Sequence, residues 1–158
     1  MKIRIISVGR LKQDELRGVS QDYLRRLSFF ADVEILEVAD EPTPDEPTTA
    51  QTQAVLKKEA SRILPLLKGK WAVYALAIEG KMHDSLSFAQ MISRHYEYSE
   101  DIAFVIGGSF GLSEELKKTT AGLVSFSRLT FPHRLTRILL LEQLFRAFKI
   151  NANQTYHK

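Results

Sequence analysis

The sequence predicts an α/β domain built on a mostly parallel sheet of about five strands. Three observations carry that expectation. Short runs rich in β-branched and aliphatic residues alternate with segments whose apolar residues recur at helical spacing. Residues 71–78 (WAVYALAI) are almost wholly apolar, as in strands covered on both faces of a parallel sheet. Glycines punctuate the strand ends, at Gly9, Gly80, Gly107 and Gly108. A chain of 158 residues suits one compact domain, residues 1–158, and can bury a real core.

Residues 2–8 (KIRIISV) read as the first strand, closed by Gly9-Arg10. Leu16, Val19, Tyr23, Leu24 and Leu27 then recur at helical spacing and predict an amphipathic helix over about residues 14–28. Residues 33–38 (VEILEV) alternate apolar and acidic, the pattern of a half-exposed strand. Pro42, Pro44 and Pro47 stand among acids in 40–49, which predicts an exposed loop. A helix over 50–64 turns Val55, Ala60, Ile63 and Leu64 inward, and Pro65 ends or kinks it. The strand 71–78 follows, with Glu79-Gly80-Lys81 as its exit turn. Leu86, Phe88, Met91 and Ile92 mark a third helix. The remaining elements are a strand at 102–106, a short helix after Ser113, a strand at 123–129 and a long apolar helix at 135–150.

The chain contains no cysteine, which removes disulfides, thiolate metal ligands and covalent attack through sulfur. No run approaches the roughly 18 apolar residues of a membrane span, and Met1 opens no secretory signal pattern. A cytoplasmic protein with no membrane partner is therefore expected. The net charge is only +3, but it is unevenly spread. Residues 1–28 hold seven Lys/Arg against three acids, and residues 125–158 hold six against Glu142 alone. Two basic ends could form one surface suited to a polyanion.

Chemistry concentrates in residues 103–150. The strand 102–106 empties into Gly107-Gly108-x-x-Gly111, where main chain can approach a ligand closely. In open α/β sheets, ligands bind at such strand ends. A dinucleotide fingerprint would need G-x-G-x-x-G and an acid about 20 residues on, and neither is present. The plain alternative is a tight turn into a helix capped by Ser113, with Glu114 and Glu115 in its first turn. The four histidines show no metal-ligand spacing, so no metal is expected. Glu142 lies among Leu139, Leu140, Leu141 and Leu144, where an unpaired carboxylate would be costly, so a pair with Arg137 or Arg146 is expected.

Several segments together carry a resemblance. They are KIRIISVGR at the start, Tyr23-Leu24-Arg25-Arg26, Leu76-x-x-x-Gly80-Lys81, and Phe104-Val105-Ile106-Gly107-Gly108-x-x-Gly111-Leu112-Ser113. They continue with Leu129-Thr130-Phe131-Pro132-His133, Glu142-Gln143-Leu144-Phe145-Arg146-Ala147-Phe148 and the terminal Tyr156-His157-Lys158. Nearly end to end, the chain resembles the small SPOUT-type methyltransferases that methylate N3 of a pseudouridine in bacterial large-subunit ribosomal RNA. It departs from many members in having Thr155 rather than Pro before the Tyr-His pair.

The resemblance implies a SPOUT-type α/β domain with a C-terminal trefoil knot, a homodimer, and S-adenosylmethionine as methyl donor with no metal. It places cofactor contacts on Leu76, Gly108, Ser127, Arg128, Leu129, Thr130, Phe131 and Pro132, and catalytic roles on Tyr156, His157 and Lys158. It implies large-subunit ribosomal RNA within the ribosome as the partner. The rival reading is a non-catalytic nucleotide- or RNA-binding α/β module that uses the same basic ends.

Overall fold

Every strand expected from the sequence forms, and all five lie parallel. The computed structural model describes all residues except Gln13, His157 and Lys158. The strands are β1 (Lys2–Val8), β2 (Asp32–Val38), β3 (Trp71–Met82), β4 (Asp101–Ile106) and β5 (Gly122–Ser125). The helices are α1 (Asp14–Leu27), α2 (Thr49–Ile63), α3 (Ser85–Glu97), α4 (Glu114–Lys118) and α5 (His133–Asn151). The sheet order is β2-β1-β4-β3-β5.

Two-residue periodicity divides the core into two layers. Ile3 and Ile5 of β1 join Ile102, Phe104 and Ile106 of β4 on one face, packed against Leu27, Phe88, Ile92, Leu140, Leu141 and Leu144. That face is covered by α1, α3 and α5. Ile6, Val8 and Val105 point the other way, toward Ala60 and Ile63 of α2 and Leu112 and Leu116 beside and within α4. The central strands β1 and β4 thus lose their apolar surface to helices on both sides, at roughly 25 cal/mol per Å² buried.

Four differences from the expected elements have local causes. Thr48 and Gln51 form a capping box, so α2 opens at Thr49, and Pro65 leads into a 3-10 turn, Leu64–Leu67. β3 runs on through Glu79-Gly80-Lys81 instead of turning there, with a register shift against β5 between Leu76 and Lys81. Gly80 is needed at that crossing, because a Cβ there would lie 2.7–2.8 Å from the Leu123 and Val124 backbone. Nor is β3 buried on both faces. Only Ala75 is fully enclosed, since the edge strand beside it is short and Ile78 and Met82 overhang into solvent. Finally, β5 stops at Ser125 rather than 129. The Ser125 hydroxyl donates to the Ser127 carbonyl at 2.9 Å and the Leu129 N–H donates to Ser127 Oγ at 3.0 Å, a local turn that competes with the ladder. From there the chain crosses the carboxyl ends of β3 and β4, and α5 begins at His133 beside Gly9.

The proline-rich loop after β2 is exposed along most of its length, as expected, but it is anchored at its start. Glu41 accepts from Lys58 at 2.7 Å and Arg62 at 2.6 Å, and its N–H donates to Glu59 at 3.1 Å.

Candidate active site

The carboxyl ends of β3, β4 and β5 enclose a cleft of about 790 Å³. That volume lies within the range of small-ligand sites. Its walls are the β3 end from Leu76, the glycine turn after β4, and the segment from Val124 to His133.

The glycine turn is fixed by its backbone. Gly111 donates its N–H to the Gly108 carbonyl at 3.0 Å and adopts φ +76°, a left-handed conformation that favours glycine. A Cβ on Gly107 would lie 2.2 Å from the Gly111 carbonyl oxygen, so no side chain fits there. Ser113 then caps α4 by accepting from the Leu116 N–H at 3.2 Å. The plain reading of the turn is therefore correct for Ser113, and it coexists with a ligand-sized cleft.

Gly108 behaves differently from the sequence expectation. Its missing side chain does not open the cleft. A Cβ there would lie 3.0 Å from Val8 Cγ1 and 3.1 Å from both oxygens of buried Glu59, inside the second core layer. The Gly108 main chain is what lines the cleft.

Polar groups frame the opening. Lys117 of α4 donates to Glu79 on the β3 overhang and to Glu114 at 2.8 Å. The Lys117 hydrogen bond holds the Glu79 carboxyl below its usual range. His133 stands at the far wall, against Gly9, where an added Cβ would lie 2.8 Å from His133 Nε2. Burial, helped by nearby Arg134, pushes the imidazole's pKa down, so the ring is neutral at neutral pH. One helical turn on, Arg137 donates to Glu37 at 2.5 Å and to the Gly9 carbonyl at 3.0 Å. This ties the start of α5 to the ends of β1 and β2.

Of the residues expected to hold a cofactor, Leu76, Gly108, Ser127, Leu129, Thr130, Phe131 and Pro132 all border the cleft. Arg128 is exposed and is not part of the wall. The tail is elsewhere. Tyr156 packs edge-on against Phe145 at 5.0 Å, with the Arg146 guanidinium 5.0 Å above its ring, on the face formed by α1 and α5. It does not border its own chain's cleft. His157 and Lys158 lie outside the described residues. Glu142 pairs with Arg146 at 2.7 Å, one of the two expected partners, whereas Arg137 is taken by Glu37. Lys117, Glu79 and Glu59 escaped the sequence reading. Only Glu59 left a signal there, as an acid at the helical spacing of Val55, Leu56, Ala60 and Ile63 on the inward face of α2.

A family model described as "Predicted SPOUT methyltransferase" matches residues 1–157. The chain belongs to the SPOUT methyltransferase family. Within it, the chain is 45% identical over 159 residues to the "Ribosomal RNA large subunit methyltransferase H" of Streptococcus uberis, covering all of both proteins. It is 46% identical, again over the full length of both, to the protein of that name from Bacillus thuringiensis. Among solved structures, a probable methylase family protein from Haemophilus influenzae superposes with a TM-score of 0.57 at 15% identity, covering 99% of this chain and 70% of that one. A probable methyltransferase from Bordetella pertussis gives 0.56 at 16% identity, with 92% and 93% covered. At those identities the structural likeness speaks for the fold alone. The family assignment rests on the sequence match.

Proposed function

We propose that this SPOUT-family chain transfers a methyl group from S-adenosylmethionine to N3 of a pseudouridine in large-subunit ribosomal RNA. The observation that carries the reading is the coincidence of two facts. Seven of the eight cofactor contacts implied by the sequence resemblance border one cleft, and full-length relatives near 45% identity bear the name of a ribosomal RNA large subunit methyltransferase.

The residues present fit the cofactor. Leu76, Ile106, Leu129 and Phe131 give an adenine apolar walls. Main chain at Gly108, at Ser127 and over 129–132 borders the cleft and can present N–H and C=O groups to its edge, and Lys117, paired with Glu79 and Glu114, brings a cation near the opening. S-adenosylmethionine, when bound, supplies a methyl group already activated on a sulfonium, so no metal is required. What the chain must do is hold the pseudouridine in line with that methyl and accommodate the departing N3 proton. The imidazole of His157 is one acceptor for that proton. The alternative is positioning by Tyr156 together with positive potential from Arg128, Arg134 and Lys158, which stabilises the developing imide anion.

Because Tyr156 lies outside its own chain's cleft, this reading assigns the tail to the cleft of a second copy. An α5 stripe of Leu135, Ile138, Leu139 and Gln143 remains partly exposed and supports a homodimer. The crossing of 126–132 over the ends of β3 and β4 supports a C-terminal knot of the SPOUT type, an exception to the general absence of knots. One domain this small has little surface for reading RNA sequence, so an assembled ribosomal surface is the proposed target, which would place the enzyme in the cytoplasm. No helix among the described residues is long and apolar enough to cross a membrane. Calorimetric titration with S-adenosylmethionine tests the cofactor assignment. One-to-one binding per chain is expected, and absence of binding would overturn it. Binding without transfer to ribosomes would leave only a nucleotide-binding module.

A further inference from the structure

Glu59 sits on the side of the glycine turn opposite the cleft. It is 4% exposed, the only acid among the buried described residues. Its Oε1 accepts the Glu41 N–H at 3.1 Å, while Oε2 is buried with no hydrogen-bond partner. An ion pair would be the ordinary reason to bury a carboxyl. Here the cation that acts on it, Arg62, is already engaged, donating to Glu41 at 2.6 Å and to the Ala39 carbonyl at 2.9 Å. What both Glu59 oxygens meet is Gly108, 3.1 Å from the point where a Cβ would begin. The carboxyl therefore fills the space that glycine vacates, wedged between the loop after β2 and the turn after β4.

We propose that Glu59 is a positioning residue that seats Gly108 from beneath and so sets the shape of the cleft wall. This rests on the assignment of that cleft to S-adenosylmethionine. The groups facing Glu59 are Asp40 and Glu41 from the loop and Arg62 from its own helix. From the opposite side come uncharged Val8 of β1 and Gly108. Burial first, and then the Asp40 charge, raise its pKa against the pull of the Glu41 N–H and Arg62. A protonated carboxyl suits this buried wedge better than a charged one, because Arg62 is already engaged elsewhere. Ionisation as pH rises places an unpaired charge beneath Gly108 and loosens the turn. The sign follows from linkage: a folded-state pKa above the unfolded value gives support that is complete at low pH and fades as pH rises through the folded pKa.

The test compares wild type, Glu59→Gln and Glu59→Ala in two measurements. The first is amide hydrogen exchange of residues 107–111 in the ligand-free protein. Glu59→Gln should match wild type at the acid end of the pH range, and Glu59→Ala should exchange at least ~10-fold faster there. The second is calorimetric affinity for S-adenosylmethionine across a pH series that starts near the ordinary carboxyl range and runs to the alkaline side. Wild type should weaken several-fold at the higher pH, while the isosteric Gln variant should hold the low-pH affinity within about threefold throughout. Retention of the full wild-type pH dependence in Glu59→Gln would overturn the proposal, even if Glu59→Ala fails to fold. So would wild-type exchange in Glu59→Ala. If wild type binds no S-adenosylmethionine, the cofactor assignment falls, and the exchange measurement alone decides whether Glu59 seats the turn.

Discussion

Arg137 reaches across 100 residues of sequence to donate to the Glu37 carboxylate at 2.5 Å. The guanidinium is 2% exposed and also holds the Gly9 carbonyl, so three separate segments meet at one side chain. Removing it leaves the Gly9 carbonyl without this donor and Glu37 without its cation. We expect Arg137→Leu to cost about 2–3 kcal/mol, below the 3–5 of a fully buried pair because Glu37 keeps roughly a third of its exposure. Burial works against ionisation of Glu37, but the Arg137 hydrogen bond and the Leu11 N–H outweigh it, so the carboxyl titrates below its usual range. That stability is present above the unfolded carboxylate pKa and is lost as pH falls through the lower folded value. Urea titrations from neutral to acid pH should show the wild-type advantage over Arg137→Leu shrinking toward the acid end.

The glycine turn should resist substitution for packing reasons. Gly107→Ala drives a methyl into the Gly111 carbonyl, and Gly108→Val drives branched carbon into Val8 and Glu59. Both variants should lose stability, by about 1–3 kcal/mol for the second as an overpacked core site, and both should bind S-adenosylmethionine more weakly. Thermal melts alongside calorimetry check this. Unchanged melting with lost binding would mean that Gly108 faces the ligand directly.

Dimerisation should depend on the outer stripe of α5. Wild type is expected to sediment as a dimer at micromolar concentration, and Leu139→Glu as a folded monomer. A wild-type monomer under those conditions would remove the partner on which the proposed site depends.

The tail should matter more to chemistry than to folding, though not exclusively. Tyr156 packs on Phe145, so deleting residues 156–158 should cost up to about 1 kcal/mol, the scale of one aromatic pair. Affinity for S-adenosylmethionine should stay within about threefold, whereas single-turnover methylation of ribosomes should fall at least ~100-fold, the lower end for one acid–base group. His157→Gln then separates the two mechanisms. A large loss, set against a wild-type rate that falls as pH is lowered and the imidazole takes up a proton, would mark His157 as the base.

The fold was legible because its central strands obey simple periodicity. Ile3, Ile5, Ile6 and Val8, like Ile102 to Ile106, alternate faces of a sheet covered on both sides. The ends of β3 and β5 were not legible, since a glycine crossing at Gly80 and a serine turn at Ser127 are set by neighbours that apolar content does not reveal. At the cleft, the glycine punctuation could be read from the residues themselves, whereas the segment 127–132 was pointed to only by the family resemblance. Glu59, Lys117 and His133 could not be placed, because their roles arise from contacts between α2, α4, α5 and strand ends far apart in sequence. Charge patterning was half informative. Arg26 and Lys149 lie over the Phe145 ring and Arg146 over neighbouring Tyr156, but the guanidinium of Arg146 is also bound to Glu142.

The central claim is methyl transfer from this cleft to one nucleoside of large-subunit ribosomal RNA. It is tested most directly by incubating the purified protein with methyl-labelled S-adenosylmethionine and ribosomes that lack the modification, then digesting the RNA to nucleosides for mass analysis. The expected result is label in 3-methylpseudouridine from large-subunit RNA, at no more than one methyl per ribosome, and less with the Gly107→Ala protein. Absence of label, or label only in another nucleoside, would contradict the account.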